Sequence, residues 1–158
     1  MEKVAKPLKV VDPDSDLPKK EWCYPVSAPR PISDGFPEHK ERKNPPSYDP
    51  GTDYVKPRGA RVRAIHAGRV FAVDKTPDGG GGRMVFIRHG NGLVSHYLHL
   101  DTVTVRPGVR VLAGTVIGTV GGSGFGKDNY YGNHLHISII RNGVHRDPDV
   151  FLRKRLSK

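Results

Sequence analysis

After Gly59 the chain is a succession of short β-prone apolar runs cut by glycine, proline and asparagine. Val62 and Ala64, then Val70 to Val73, Met84 to Arg88, Leu93 to Leu100, Val109 to Leu112 and Val116 to Val120 follow at the short spacing of an antiparallel meander. Asn91-Gly92 joins two of these runs, and a two-residue Asn-Gly connection is a strong hairpin signal. After a loop from Gly121 to Gly132 comes His134 to Ile140, which Asn142-Gly143 would turn. Upstream, Pro25, Pro29 and Pro31 allow an edge strand or extended wrapping between Trp22 and Phe36 but no helix. The segment from Glu38 to Tyr48 reads as a loop. The first 20 residues are polar and charged without hydrophobic period and read as a flexible arm. The expectation is a mainly β protein: a single antiparallel β-sheet domain over 21–152 with an open groove and long loops, a flexible N-terminal arm at 1–20 and a basic tail at 153–158.

Composition narrows this picture without changing it. A chain of 158 residues suits one domain, and 19 glycines with 14 prolines suit a loop-rich β fold. No run approaches the roughly 20 apolar residues of a membrane-spanning helix, and MEKVAKPLKVV lacks the apolar centre of a secretory signal. Cys23 stands alone, so no intramolecular disulfide forms and a thiolate zinc site lacks partners. The net charge of +10 favours polyanions such as nucleic acid, acidic lipid or wall polymer. It does not choose among them, and a solvated basic face accounts for it equally well.

Strand alternation makes the histidines informative, because residues two apart share a face. His134 and His136 fall on one side of their strand, with Leu135, Ile137 and Ile139 on the other. By the same count His99 shares a face with Tyr97 and Ser95, and His96 points away. Asp49 and Asp53, separated by Pro50 and Gly51, alternate onto one side of an extended chain. Two carboxylates and two or three imidazoles would then converge. Zn2+ suits such a set, since a catalytic zinc takes three His or carboxylate ligands and keeps a fourth position for water. A His-x-His pair alone is most often an ordinary strand feature; the combination carries the inference.

Three stretches in this order, Asp49-Pro-Gly-Thr-Asp53, Tyr97-Leu-His99-Leu100 and His134-Leu135-His136, resemble the lysostaphin-like zinc metallopeptidases of peptidoglycan. The similarity runs from about Pro25 to Phe151 and includes Arg88-His89-Gly90-Asn91-Gly92 and VRPGVRVLAGTVIGTV from Val105 to Val120. The resemblance implies zinc ligands at Asp49, Asp53 and His136, with His99 and His134 as catalytic histidines. It implies a zinc-dependent endopeptidase that hydrolyses a peptide bond of the stem peptide or cross-bridge of bacterial peptidoglycan. One of His99 and His134 would take the proton from the attacking water and the other would stabilise the oxyanion; the sequence leaves the order open and favours His134 as base because it shares a strand and face with His136. Asp49 departs from the family, which has histidine there. His39 could fold back as a replacement, although the motif spacing does not select it.

A non-catalytic relative that binds cell wall or activates another hydrolase is the second reading, favoured by Asp49. Retention of two imidazoles beside the ligands argues against it. A lipoyl-carrier-like module lacks the lysine at a hairpin tip, a phosphate loop lacks Ser or Thr after Lys127, and specific nucleic-acid binding rests on charge alone. His66, His89, His96 and His145 have no partner spacing, so surface or turn roles are expected for them. Gly121 to Gly126, with Tyr130 and Tyr131, is expected to wall the substrate groove or to form a plain hairpin loop. The implied setting is a monomer acting on the wall. It would be made in the cytoplasm as a phage-type lysin or secreted as a mature enzyme, with electrostatic attraction to anionic wall polymers and no membrane partner.

Overall fold

The computed structural model describes residues 21–42 and 49–156; the expected arm at 1–20 lies outside them. The β-prone runs form ten strands in one antiparallel sheet. In chain order β1 is Ile32–Asp34, β2 Thr52–Val55, β3 Arg61–Arg63, β4 Gly68–Asp74, β5 Arg83–Gly90, β6 Leu93–Val103, β7 Arg110–Val111, β8 Val116–Val120, β9 His134–Arg141 and β10 Val144–Arg146. The sheet order is β1-β2-β9-β6-β5-β4-β7, with β10 on β9, β8 on β6 and β3 on β8. Both Asn-Gly turns lie where the sequence puts them, with positive φ at Asn91, Gly92, Asn142 and Gly143, as a two-residue hairpin requires.

One face of the sheet builds the core. Leu135, Ile137 and Ile139 of β9 are fully buried with Tyr97, Val85, Ile87, Val70 and Tyr54, and Val26, Phe151 and Leu152 pack over them. A polar chain is sealed inside this layer: His89 bridges the Ala67 carbonyl and the Ser95 hydroxyl, each at 2.8 Å, and Ser95 reaches the Tyr97 hydroxyl at 2.8 Å. Every member has a partner, so the burial of these polar groups is compensated.

Two short helices depart from expectation. Helix α1, Phe36–Glu41, lies where a loop was expected, starting with Pro37 in its first turn and Glu38 beside the positive end of its dipole. Helix α2, Pro148–Leu156, carries Arg153, Lys154 and Arg155 in its last turn, so among the described residues the stretch expected as a basic tail is helical. Asp147 caps it by accepting from the backbone N–H groups of Asp149 and Val150. Among the described residues no helix is long and apolar enough to cross a membrane.

Candidate metal centre

The face opposite the core carries the chemistry. β9 presents His134, His136 and Ser138 to that side, as the alternation predicts. Neighbouring β2 pairs in a register that sets Asp53 directly opposite His136. The Asp53 carboxylate and His136 Nδ1 stand 2.7 Å apart. Close approach of the two strands depends on Gly51, where an added Cβ would lie 2.0 Å from the Ile137 carbonyl oxygen. That contact gives the glycine of the Asp-Pro-Gly-Thr-Asp stretch a physical reason.

Asp49 does not join this cluster. β2 begins at Thr52, and the chain bends at Asp49, so strand alternation does not extend back to it. The Asp49 carboxylate instead accepts hydrogen bonds from His96 Nδ1 at 2.8 Å and His145 Nε2 at 2.9 Å. Its main-chain carbonyl accepts from His136 Nε2 at 2.8 Å and from Ser138 Oγ at 3.0 Å. Burial alone would raise the Asp49 carboxyl. The hydrogen bond and charge of His96, and then the hydrogen bond of His145, more than offset it and bring the carboxyl down to about 2.

The place beside Asp53 and His136 is taken by His39 of α1. Its Nε2 lies 3.6 Å from Asp53 Oδ2, and its ring centre is 4.9 Å from that of His136. Among the described residues, His39, Asp53 and His136 form the cluster whose donor atoms all fall within 4.8 Å of one another. Ligands about 2.0–2.2 Å from a tetrahedral zinc stand roughly 3.3 Å apart, so this spacing fits. The tautomers fit as well. His39 Nδ1 faces the Gly35 carbonyl at 2.9 Å and His136 Nε2 faces the Asp49 carbonyl; a carbonyl only accepts, so each ring commits one N–H there and turns its other nitrogen toward Asp53, where His136 Nδ1 donates to the carboxylate in the metal-free protein and would release that proton to ligate a metal.

His99 and His134 flank the cluster, with ring centres 4.9 Å apart. His99 reaches this face by a route that simple alternation misses. β6 pairs with β9 as far as Leu98 opposite His136, then changes partner and pairs with β8 from Leu100 opposite Val120. His99 sits at the change with φ of 64°, and its N–H donates to the Gly81 carbonyl at 2.8 Å. This bulge rotates the side chain out of the register of Tyr97 and Ser95, which stay in the core, and into the groove. His96, Leu98 and His99 consequently all face the groove side, which corrects the expected orientation of both histidines.

Each flanking histidine is anchored through Nδ1 to a carbonyl, His99 to Ser123 at 2.9 Å and His134 to Gly132 at 2.7 Å, so both Nε2 atoms are left as acceptors. Burial, followed by the nearby charge of His134, pushes His99 down to about 3 and keeps it neutral. His134 Nε2 lies 3.8 Å from Asp53 Oδ2. In the metal-free protein burial opposes protonation of His136, but the hydrogen bond and charge of Asp53 outweigh it and raise its pKa. The groove encloses about 800 Å3 and is walled by Gly80 and Gly81 on one loop and by Phe125, Tyr130 and Tyr131 on the expected glycine-rich loop.

Residue-by-residue reading missed His96 and His145 as partners of Asp49 and left His39 to one side. The available signal was indirect. An aspartate at the motif's first position leaves a three-donor site one imidazole short, and Gly35-Phe36-Pro37-Glu38 carries the proline and acid of a helix start just ahead of His39. Of the remaining histidines, His66 stacks on Trp22 with ring centres 4.1 Å apart and His89 belongs to the core.

Two imidazoles and a carboxylate converging in an open groove, with two further imidazoles beside them, are the furnishings of a mononuclear zinc centre. The model of peptidase family M23 matches residues 47–148, well over half of the chain, and the chain belongs to that family. It is 40% identical over 99 residues to the peptidoglycan DD-endopeptidase ShyC of Vibrio cholerae, a stretch covering 62% of this chain and 21% of that protein. The crystal structure of a zinc containing peptidase from Vibrio cholerae superposes with a TM-score of 0.66 at 31% identity, covering 78% of this chain and 37% of that one. The catalytic domain of the antimicrobial peptidase lysostaphin from Staphylococcus simulans gives 0.56 at 29% identity, covering 65% and 77%. The chain spans only 21% and 27% of the lengths of ShyC and its relative ShyB.

Proposed function

We propose that this chain is a zinc-dependent endopeptidase that hydrolyses a peptide bond in bacterial peptidoglycan, with the metal held by His39, Asp53 and His136. The observation that carries the reading is the convergence of these three residues, each with a ligating atom turned inward, beside the Nε2 atoms of His99 and His134. The names of ShyC and of the structurally similar zinc containing peptidase support the substrate and the metal. The charge of +10 supports attraction to an anionic wall.

Zinc bound there would polarise the scissile carbonyl and make an attacking water more acidic. The chain's own residues do the rest. His134 takes a proton from the attacking water at Nε2 and passes it to the leaving amine. His99, neutral and with Nδ1 already committed, accepts a hydrogen bond from that water and orients it. Stabilising an oxyanion would require a proton on Nε2 in addition to the one Nδ1 donates to the Ser123 carbonyl, which burial opposes, so we favour the orienting role for His99 over the oxyanion role. Tyr131, whose hydroxyl donates to the Gly80 carbonyl at 3.1 Å, packs against His99 with ring centres 4.3 Å apart and planes tilted by 52°, and bounds the groove for an extended peptide.

The test is metal content together with release of free amine from purified peptidoglycan, since cutting any peptide bond exposes one. One zinc per chain, amine release abolished by a chelator and restored by zinc, and loss of both in His136→Ala are expected. Amine release that persists after zinc is stripped would defeat the reading.

A further inference from the structure

We propose that Asp49, gripped by His96 and His145, is the positioning device that aims His136 at the metal. This rests on the reading of His136 as a ligand. Position 49 resembles the family's first ligand position, yet here its side chain is turned to a different task. Each carboxylate oxygen takes one imidazole N–H, Oδ2 from His96 and Oδ1 from His145, while the main-chain carbonyl of the same residue takes the Nε2–H of His136 and the hydroxyl of Ser138. One residue therefore has its three acceptor oxygens engaged by side chains from three strands: β6, β9 and β10.

Asp49 needs an anchor of this kind. It precedes β2, so no strand pairing of its own fixes its carbonyl. Proline follows it, and the next residue, Gly51, is pressed against Ile137. His96 and His145 come from the strands on either side of β9: His96 lies opposite Ser138 and His145 opposite Ile140. The clamp thus straddles the strand that carries His136. His96 is itself held by stacking on Phe86, with ring centres 3.9 Å apart and planes 23° from parallel. A carboxylate fixed at both oxygens fixes the carbonyl two bonds from its Cβ. That carbonyl holds the His136 ring in the tautomer that presents Nδ1 to the metal, the task usually done by a carboxylate or carbonyl behind a ligating histidine.

The donors differ in geometry, and this gives the test its discrimination. His96 donates from Nδ1, a position the amide nitrogen of asparagine reproduces; His145 donates from Nε2, a position glutamine reproduces. Zinc affinity is measured by competition with a chromophoric chelator, and the visible absorption of the cobalt-substituted protein is recorded as a report of ligand geometry. Melting of the chelated protein serves as the control for folding. His96→Ala and His145→Ala are expected to weaken zinc binding roughly 10–100-fold each and to change the cobalt spectrum, the range typical of groups that support a metal ligand. His96→Asn and His145→Gln are expected to recover most of the loss. Wild-type affinity and spectrum in both alanine variants, while His136→Ala abolishes binding, would overturn the clamp and leave the zinc site standing. Loss in the alanine variants without recovery in the amide variants would likewise overturn it, because packing would then explain the effect. Zinc binding that survives in His136→Ala would instead overturn the ligand assignment on which the clamp rests.

Discussion

Replacing Gly51 with alanine strikes the closest approach in the site. The new Cβ would sit 2.0 Å from the Ile137 carbonyl oxygen and 2.8 Å from the Ser138 hydroxyl, whereas ordinary contact begins near 3.4 Å. Residues 51–53 must therefore retreat from β9 by about 1.4 Å, the difference between 3.4 and 2.0 Å. The backbone oxygen cannot swing away as a side chain could, so the strain is borne by the pairing of Thr52 with Ile137 and of Asp53 with His136. Losing two ladder hydrogen bonds at about 1 kcal/mol each, with overpacking of about 1–3 kcal/mol, gives a destabilisation on the order of 3–5 kcal/mol. That corresponds to a fall in melting temperature on the order of 10 °C for a domain of this size. Denaturant unfolding of the chelated protein isolates this cost from the contribution of metal. Gly79→Ala is the matched control: no atom lies within 4 Å of its added Cβ and its φ is not positive, so it should change stability by less than about 1 kcal/mol. Because the same retreat separates Asp53 from His136, Gly51→Ala should also bind zinc more weakly. A Gly51→Ala protein as stable as Gly79→Ala, with undiminished zinc affinity, would refute the reasoning.

Two other outcomes follow from the geometry. His99→Ala removes a groove acceptor without removing a donor of the cluster, so bound zinc should remain at one per chain while kcat for amine release falls by roughly 10²–10⁴-fold; loss of zinc on this substitution would make His99 a ligand. His89 is fully buried, and burial pulls it down to about 4 from 6.5. Below 6.5 the unfolded chain takes up a proton that the native state refuses until about pH 4. The contribution is therefore intact above pH 6.5 and is lost as pH falls through that window, by up to about 1.4 kcal/mol per pH unit. In chelated protein unfolded at pH 7, 6 and 5, His89→Gln should show a slope shallower by about one proton, and an unchanged slope would contradict the assignment.

The parts of this molecule that were legible in the sequence are those where local pattern and tertiary role coincide. Leu135, Ile137 and Ile139 alternate with His134, His136 and Ser138 because β9 is a regular strand with one face in the core. Asn91-Gly92 and Asn142-Gly143 mark their hairpins because φ is positive at all four residues. Where the backbone leaves regular geometry, the reading failed for that reason. Period-two counting puts His99 on the face of Tyr97 and Ser95 because it cannot see a bulge in which β6 changes partner. Alternation pairs Asp49 with Asp53 only if it is carried through the bend that precedes the strand. His39 lies on a six-residue helix, too short for any periodicity to show, and its meeting with Asp53 and His136 is a long-range contact that no local rule encodes. The arginines of α2 resembled a solvated tail because the helix is nine residues long and buries only Pro148, Phe151 and Leu152.

The ligand set is tested most directly by crystals of the zinc-loaded protein measured on either side of the zinc absorption edge. A single anomalous peak touching His39 Nε2, the Asp53 carboxylate and His136 Nδ1, with the Asp49 carboxylate still held by His96 and His145, is the predicted result. A peak bonded to the Asp49 carboxylate with His39 turned away would contradict it.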